Sequence, residues 1–170
     1  MYDSGCGASV SFRGEFFIQT YRPDNSLKWE VLEKNMVVNV GVQKLLDILL
    51  MGSAAIATWY VGLAASSMTV ASADTMASHG GWTESTVYAT AARGVFVGVR
   101  TALAVTNSAS TISYSISTAG TIGGAFLASD ATKGGSLGTL LCAVVFTAGD
   151  KAVTDGDTLT VTYSFSAADS

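Results

Sequence analysis

Charged side chains are scarce in this chain, and the scarcity limits what its surface can do. Lysine, arginine, aspartate and glutamate make up 13% of its 170 residues, about half the share in an ordinary soluble domain. Serine, threonine, alanine and glycine must therefore cover much of the exterior, which protects a free monomer poorly against association. Because the cores of protein interfaces are depleted in charge, this composition favours a subunit that stays assembled with its neighbours.

Clusters of basic residues are also missing. The nine lysines and arginines are spread singly and the net charge is −4, whereas binding to nucleic acid requires several phosphates to be neutralised together. A basic helix that would lie on a membrane surface is absent too. The apolar stretch at residues 40–51 is interrupted by Gln43, Lys44 and Asp47, so it is not the run of roughly 20 apolar residues that a span needs. The sequence predicts neither a nucleic-acid nor a membrane partner, and the first ten residues lack the pattern of a secretory signal.

Cysteine and histidine are too few to build a recognisable catalytic or metal centre. Cys6 and Cys142 form neither a zinc spacing nor a CxxC pair, and Cys142 lies in the apolar run LLCAVVF, which favours a free thiol in a core. His79 is the single histidine. A triad drawn from it would use Asp74 and any of many serines, so the choice carries no information. We expect Asp74 to cap a short helical turn, TMASH, and His79 to bond backbone carbonyls at its end.

The chain holds one proline, Pro23, and no proline-rich linker, which favours one domain. Residues 1–10, rich in glycine and serine, are interpreted as a flexible N-terminal arm and residues 11–170 as a single domain. Residues 11–21 and 27–34 predict a hairpin around the turn YRPDNS, with a bulge at Gly14. Asn39 is a favourable N-cap, and leucines at helical spacing predict an amphipathic helix near residues 40–51, packed on a sheet and ended by Gly52.

The rest of the chain reads as short strands bounded by glycine, asparagine, serine or aspartate. The predicted strands are residues 58–64, 94–105, 111–118, 121–128, 139–147 and 158–166. Strands at this spacing indicate an antiparallel architecture. The predicted fold is mainly β: a single antiparallel β-sandwich or jelly-roll-like domain with one helical insertion.

Two groups of side chains leave alternatives open. Asp150, Asp155 and Asp157 precede the last strand. Aspartate and glycine are common in tight turns, but carboxylates are also the ligands of calcium, so a weak surface calcium site is the alternative. A second group of aromatic residues suits either a core and subunit contacts or a carbohydrate platform near Glu84; its members are Trp59, Tyr60, Trp82 and Tyr88. No pattern of residues assigns a catalytic group, a cofactor or a resident metal.

The order of segments resembles a group of small structural proteins of tailed bacteriophages. Residues 35–46 (NMVVNVGVQKLL) resemble a helix motif N-x-V-x-N-x-G-x-x-x-L-L of this group. WYVGL at residues 59–63 and ADTMASHGGWTESTVY at residues 73–88, leading to Arg93, are its most specific parts. TIGGAFL, KGGSLGTL and GDTLTVTYSFS follow in the second half, so the resemblance covers about residues 35–166.

The resemblance implies a virion protein without enzymatic activity, made in the cytoplasm of a bacterial host. Length, acidity and the absence of shaft repeats favour a capsid decoration or cement protein on the outer shell, bound to the major capsid protein as a homodimer or homotrimer. The alternative is a tail or fibre component; a glycan-binding module has only the aromatics near Glu84 in its favour. For the subunit contact we expect exposed side chains at Trp82, Val87 and Tyr88, with Arg93 as a polar anchor.

Overall fold

The fold is built mainly from antiparallel strands. The structure is a computed structural model that describes residues 10–169. It is 48% strand and 8% helix. The predicted mainly β, sandwich-like domain with one helical insertion is therefore confirmed.

The first half of the described chain carries the helix and the longest hairpin. Its elements are β1 (Val10–Tyr21), β2 (Leu27–Lys34), β3 (Met36–Val37), α1 (Asn39–Leu50), β4 (Trp59–Ala64) and β5 (Glu84–Ser85). The second half contributes β6 (Gly94–Phe96), β7 (Val99–Thr101), β8 (Ala104–Thr106), β9 (Ile112–Ser115), β10 (Gly120–Ile122), β11 (Gly124–Ala128), β12 (Leu140–Val145), β13 (Lys151–Val153) and β14 (Thr158–Asp169).

Two six-stranded sheets form the two layers. The first sheet has the order β2-β1-β14-β8-β7, and β9 also pairs with β14. The second has the order β3-β12-β11-β4-β5, and β6 pairs with β4. A short ladder joins β10 to β13. The predicted hairpin of β1 and β2 is confirmed, although its register shifts at Thr20 and Tyr21 rather than at Gly14.

The main core lies between the two sheets. Phe16 and Ile18 of β1 are completely buried, and they belong to one cluster with Leu63 and Leu127 of the second sheet. Inward and outward residues alternate along the second half of β1, as expected for a strand with one covered face.

The second sheet is covered on both faces. Every residue of β11 is buried, because Phe126 and Ala128 pack into a second cluster on the side away from Leu127. The loop at residues 65–83 contributes Met76 and Trp82 to that cluster. Burial on both faces explains the continuous apolar run in β11, which has no alternation to mark its faces.

The helix begins and ends close to its predicted limits, but it is not capped as expected. Val38 is the N-cap residue and makes no side-chain hydrogen bond, while Asn39 is already the first helical residue. Gly52 has a φ of 66°, so its predicted role as the left-handed residue after the helix is confirmed.

Three further local predictions are wrong. Residues 121–128 form two strands instead of one, since β10 pairs with β13 and β11 belongs to the second sheet. Residues 94–105 form three short strands instead of one: β6 belongs to the second sheet and β7 and β8 to the first. Gly98 lies at the crossing, where a Cβ atom would press against Val105 and Phe96. The segment TMASH is a turn closed by a bridge between Thr75 and Ser78, not a helical turn.

The predicted N-terminal arm falls largely beyond what the structure describes. Residues 1–9, which include Cys6, lie outside the described residues. Val10, the last residue assigned to the arm, is the first residue of β1 and pairs with Asp169.

Candidate interaction surface

Three of the four side chains predicted at a subunit contact are buried within the subunit. Trp82 is 4% exposed, Tyr88 1% and Arg93 2%, and Val87 is half-buried against the main core. The expectation that they are exposed is therefore wrong. The local sequence does not reveal this, because Trp82 is buried against the outer face of the second sheet and Tyr88 in the core between the sheets.

Trp82 is held by polar and aromatic neighbours of its own loop. Its indole Nε1 donates to Asp74 Oδ2 at 3.1 Å, and the same oxygen accepts the backbone N–H of Ala71. The His79 ring stacks on the indole with centroids 3.9 Å apart, and His79 Nδ1 lies 2.9 Å from the Trp82 carbonyl. The expected bond from His79 to a backbone carbonyl is confirmed, and Asp74 binds a tryptophan instead of capping a helix.

Arg93 and Glu84 form a buried ion pair that joins three segments. Arg93 Nη2 is 2.7 Å from Glu84 Oε2, and the two side chains are 0% and 6% exposed. Arg93 also donates to the carbonyls of Asp130 and Gly135. The guanidinium carbon lies 5.1 Å from the centroid of the Phe126 ring, a cation–π arrangement. All these contacts are internal, so Arg93 fastens the β11–β12 loop to β5 rather than anchoring a neighbour.

Tyr88 extends the same buried cluster. The centroids of the Tyr88 and Tyr114 rings are 4.7 Å apart. Lys133 Nζ lies 4.6 Å from the centroid of the Tyr88 ring. Burial, followed by the nearby charge of Glu84, raises the pKa of the Tyr88 hydroxyl above its ordinary value. A neutral phenol is thus favoured, as suits a packing residue.

Two clefts lie on the surface of the part of the chain that the structure describes. The smaller, about 320 Å³, is lined by His79, Thr83, Glu84 and residues 134–136. The oxygens of Glu84 already accept from Arg93 and from the backbone N–H of Gly134. Burial of Trp82 and Tyr88 leaves no aromatic platform there for a sugar. The larger cleft, about 490 Å³, is lined by residues of β1, β2 and β14 with Asn35.

The remaining candidate groups are engaged separately. Asp150 accepts from the Ser67 backbone N–H, Asp157 pairs with Lys28 at 2.6 Å, and Asp155 is exposed. Within residues 10–169, no three histidine, cysteine or acidic side chains come together as a metal site. Cys142 is buried and unbridged, and burial raises the pKa of its thiol to about 12.

Several leucines of the helix are exposed, so the expectation that its leucine face packs on a sheet is confirmed for Leu45 but is wrong for the leucines near the end of the helix. Leu46, Leu49, Leu50 and Met51 are 47%, 70%, 78% and 76% exposed. The helix packs through its first half: Gly41 is its buried residue, and a Cβ atom there would overlap the backbone of Leu141 in β12. Helical spacing of leucines indicates an apolar face, but it does not tell whether the subunit itself covers that face.

Other apolar side chains are exposed on the β6–β8 segment. Val95, Val97, Val99 and Leu103 are between 48% and 72% exposed. A monomer rarely leaves large connected apolar patches in water, so such surfaces indicate contacts with other molecules. The α1 leucines and this segment are the candidate interaction surfaces.

Comparison of the chain with models of protein families, with curated proteins and with solved structures found no match. The helix in the described part of the chain is too short to cross a membrane.

Proposed function

We propose that this chain is a non-enzymatic structural protein of a tailed-bacteriophage particle, most simply a decoration protein on the outer capsid. The observation that carries the proposal is the exposure of large aliphatic side chains, up to 78% for Leu50, on a chain with only 13% charged residues. Such a surface suits permanent contact with other subunits. The phage assignment rests on the order of sequence blocks, which resembles that of phage structural proteins.

A structural role also agrees with how the polar side chains are used. Arg93 and Glu84 satisfy each other and neighbouring backbone groups, and Asp74 binds an indole. Groups that serve catalysis usually face a cleft with bonding capacity left for a substrate. Here the Arg93–Glu84 pair supports the packing of Phe126 and the β11–β12 loop.

On the capsid, the proposed partner is the major capsid protein. A protein that binds the assembled coat lattice but not the separated coat subunits stabilises the shell by mass action. Apolar contacts fit this task, because they do not weaken at the high ionic strength that screens ion pairs.

The proposal is tested on purified particles of the phage that encodes the chain. Capsids assembled without the protein are mixed with the purified chain, sedimented, and imaged by electron cryo-microscopy. We expect saturable binding at one type of site on the outer lattice and a higher temperature of capsid disruption. Density on the tail would replace the capsid placement with a tail component. Absence of the chain from both capsid and tail would refute the virion proposal.

A further inference from the structure

We propose that α1 and the segment that follows it are a self-association surface, through which two copies of this chain form a two-fold symmetric dimer. The surface consists of Leu46, Leu49, Leu50 and Met51 with the exposed alanines at positions 54, 55 and 57. This proposal goes beyond the capsid role, because it concerns the isolated chain and does not depend on a phage particle.

This surface is more apolar than a water-exposed segment usually is. Residues 46–57 contain one ionisable side chain, Asp47. The four large side chains alone present on the order of 400 Å² of apolar surface, as much as the largest patch of a typical monomer. One partner of a stable interface contributes about 800 Å². The leucines and methionine therefore supply about half of that area, and the adjoining alanines and the flanks of the helix extend it.

The geometry of the helix suits a second copy of itself. Leu46, Leu49 and Leu50 are spaced i, i+3 and i+4, so they lie together on one face of the helix. Side chains on such faces interdigitate when two helices pack side by side. A two-fold dimer needs only one self-complementary patch, since each residue i that contacts j is matched by j contacting i. No complementary groove elsewhere is required.

The charges around the helix disfavour a lipid surface as the occupant. Amphipathic helices that lie on membranes carry several lysines or arginines on their polar face. The only basic residue of α1 is Lys44, whose Nζ donates to the Ser53 hydroxyl at 2.8 Å, and the chain has a net charge of −4. Anionic lipid would be repelled, whereas a second copy brings one further Asp47 that salt can screen.

The dimer is tested by sedimentation equilibrium of the full chain. We expect Leu50→Glu to raise the dimer dissociation constant at least about a hundredfold, since it places a charge at the centre of an apolar contact. Leu137→Glu is the matched control: this leucine is 71% exposed but lies outside both candidate interaction surfaces, so the dissociation constant should stay within about twofold. Asp47→Ala should tighten the dimer, because it removes the like charge from the interface.

Folding of each variant is checked by circular dichroism, and Leu50→Gln serves as a milder change if Leu50→Glu does not fold. A wild-type chain that stays monomeric at roughly 100 µM overturns the proposal, since a dimer weaker than that is not a stable one. Equal weakening by Leu137→Glu also overturns it. Sedimentation with vesicles of phosphatidylcholine and phosphatidylglycerol is a separate test. If the chain is monomeric and binds these vesicles, and if Leu50→Glu abolishes the binding, the surface is assigned to lipid instead. Failure of the dimer leaves the capsid role to be decided by the binding to purified capsids.

Discussion

Gly62 lies directly opposite Phe126 on neighbouring strands, and its missing side chain makes the space that the Phe126 ring occupies. The two residues are paired in the register of β4 and β11, and a Cβ atom at position 62 would overlap the ring. The ring in turn packs against Trp82, with centroids 4.9 Å apart, and lies beneath the Arg93 guanidinium. The glycine of WYVGL is thus needed for the packing of the most specific sequence blocks against each other.

Gly62→Ala is expected to destabilise the fold by about 2 kcal/mol, because the Phe126 ring cannot shift without disturbing Trp82 and Arg93. Urea unfolding measures this change. Gly80→Ala is the control, since a Cβ atom at position 80 has open space around it, and its effect should stay within about 0.5 kcal/mol. Phe126→Leu should recover part of the loss in the Gly62→Ala background. Strict additivity of the two changes would argue against the steric relationship.

Trp82→Ala is expected to lower the free energy of unfolding by about 3–5 kcal/mol, as for other large core aromatics. This reverses the sequence-based expectation that Trp82 acts mainly on assembly. Trp82→Phe keeps most of the apolar volume and loses the bond to Asp74, so it should cost about 1–2 kcal/mol. Chemical denaturation followed by circular dichroism separates the two variants. An unchanged unfolding midpoint in Trp82→Ala, with weakened self-association, would restore the interface role.

Arg93→Met and Glu84→Gln should each destabilise the fold by about 3–5 kcal/mol, because each leaves the other charge buried without its partner. The double variant should lose much less than the sum of the two, since it buries no unpaired charge. Arg100→Met tests for a general effect of removing an arginine, because Arg100 is exposed on β7. Thermal unfolding of the wild type, the two single variants and the double variant completes the cycle. A double variant as unstable as the sum would show that the two residues act independently.

The sequence predicts the strands best where one face is in water. β1 and β2 alternate, and their limits agree with the prediction to within one residue. Strand patterns fail for residues 94–105, because the chain moves from one sheet to the other at Gly98 and local sequence does not encode that crossing. The burial of the aromatic residues escapes prediction for a related reason: Trp82 packs on the outer face of the second sheet and Tyr88 between the sheets, and both contacts involve strands distant in sequence. Periodicity shows which residues share a face, while tertiary packing decides whether water reaches it.

Asp157, which directly precedes the last strand, makes the stability of the fold depend on pH. Burial alone would raise the pKa of its carboxyl, but hydrogen bonds from Lys28 and Thr154 outweigh it and lower the pKa below the ordinary 3.8. The folded state therefore binds the proton of Asp157 more weakly than the unfolded state does. The ionised carboxylate stabilises the fold fully at a pH above the pKa of the unfolded state, and this stabilisation is lost as the pH falls through the pKa of the folded state.

Asp157→Asn should cost about 2 kcal/mol near neutral pH, because the bonds to an ionised oxygen are replaced by weaker ones. The difference from the wild type should begin to shrink below about pH 4, where the carboxyl of the unfolded chain takes up a proton, and should disappear as the pH falls through the lower pKa of the folded state. Urea unfolding midpoints of both proteins, measured from neutral pH into the acid range, give this difference directly. Asp155→Asn is the matched control, because Asp155 lies two residues away and is exposed. A difference between Asp157→Asn and the wild type that persists unchanged in acid would show that the ionised carboxylate does not stabilise the turn.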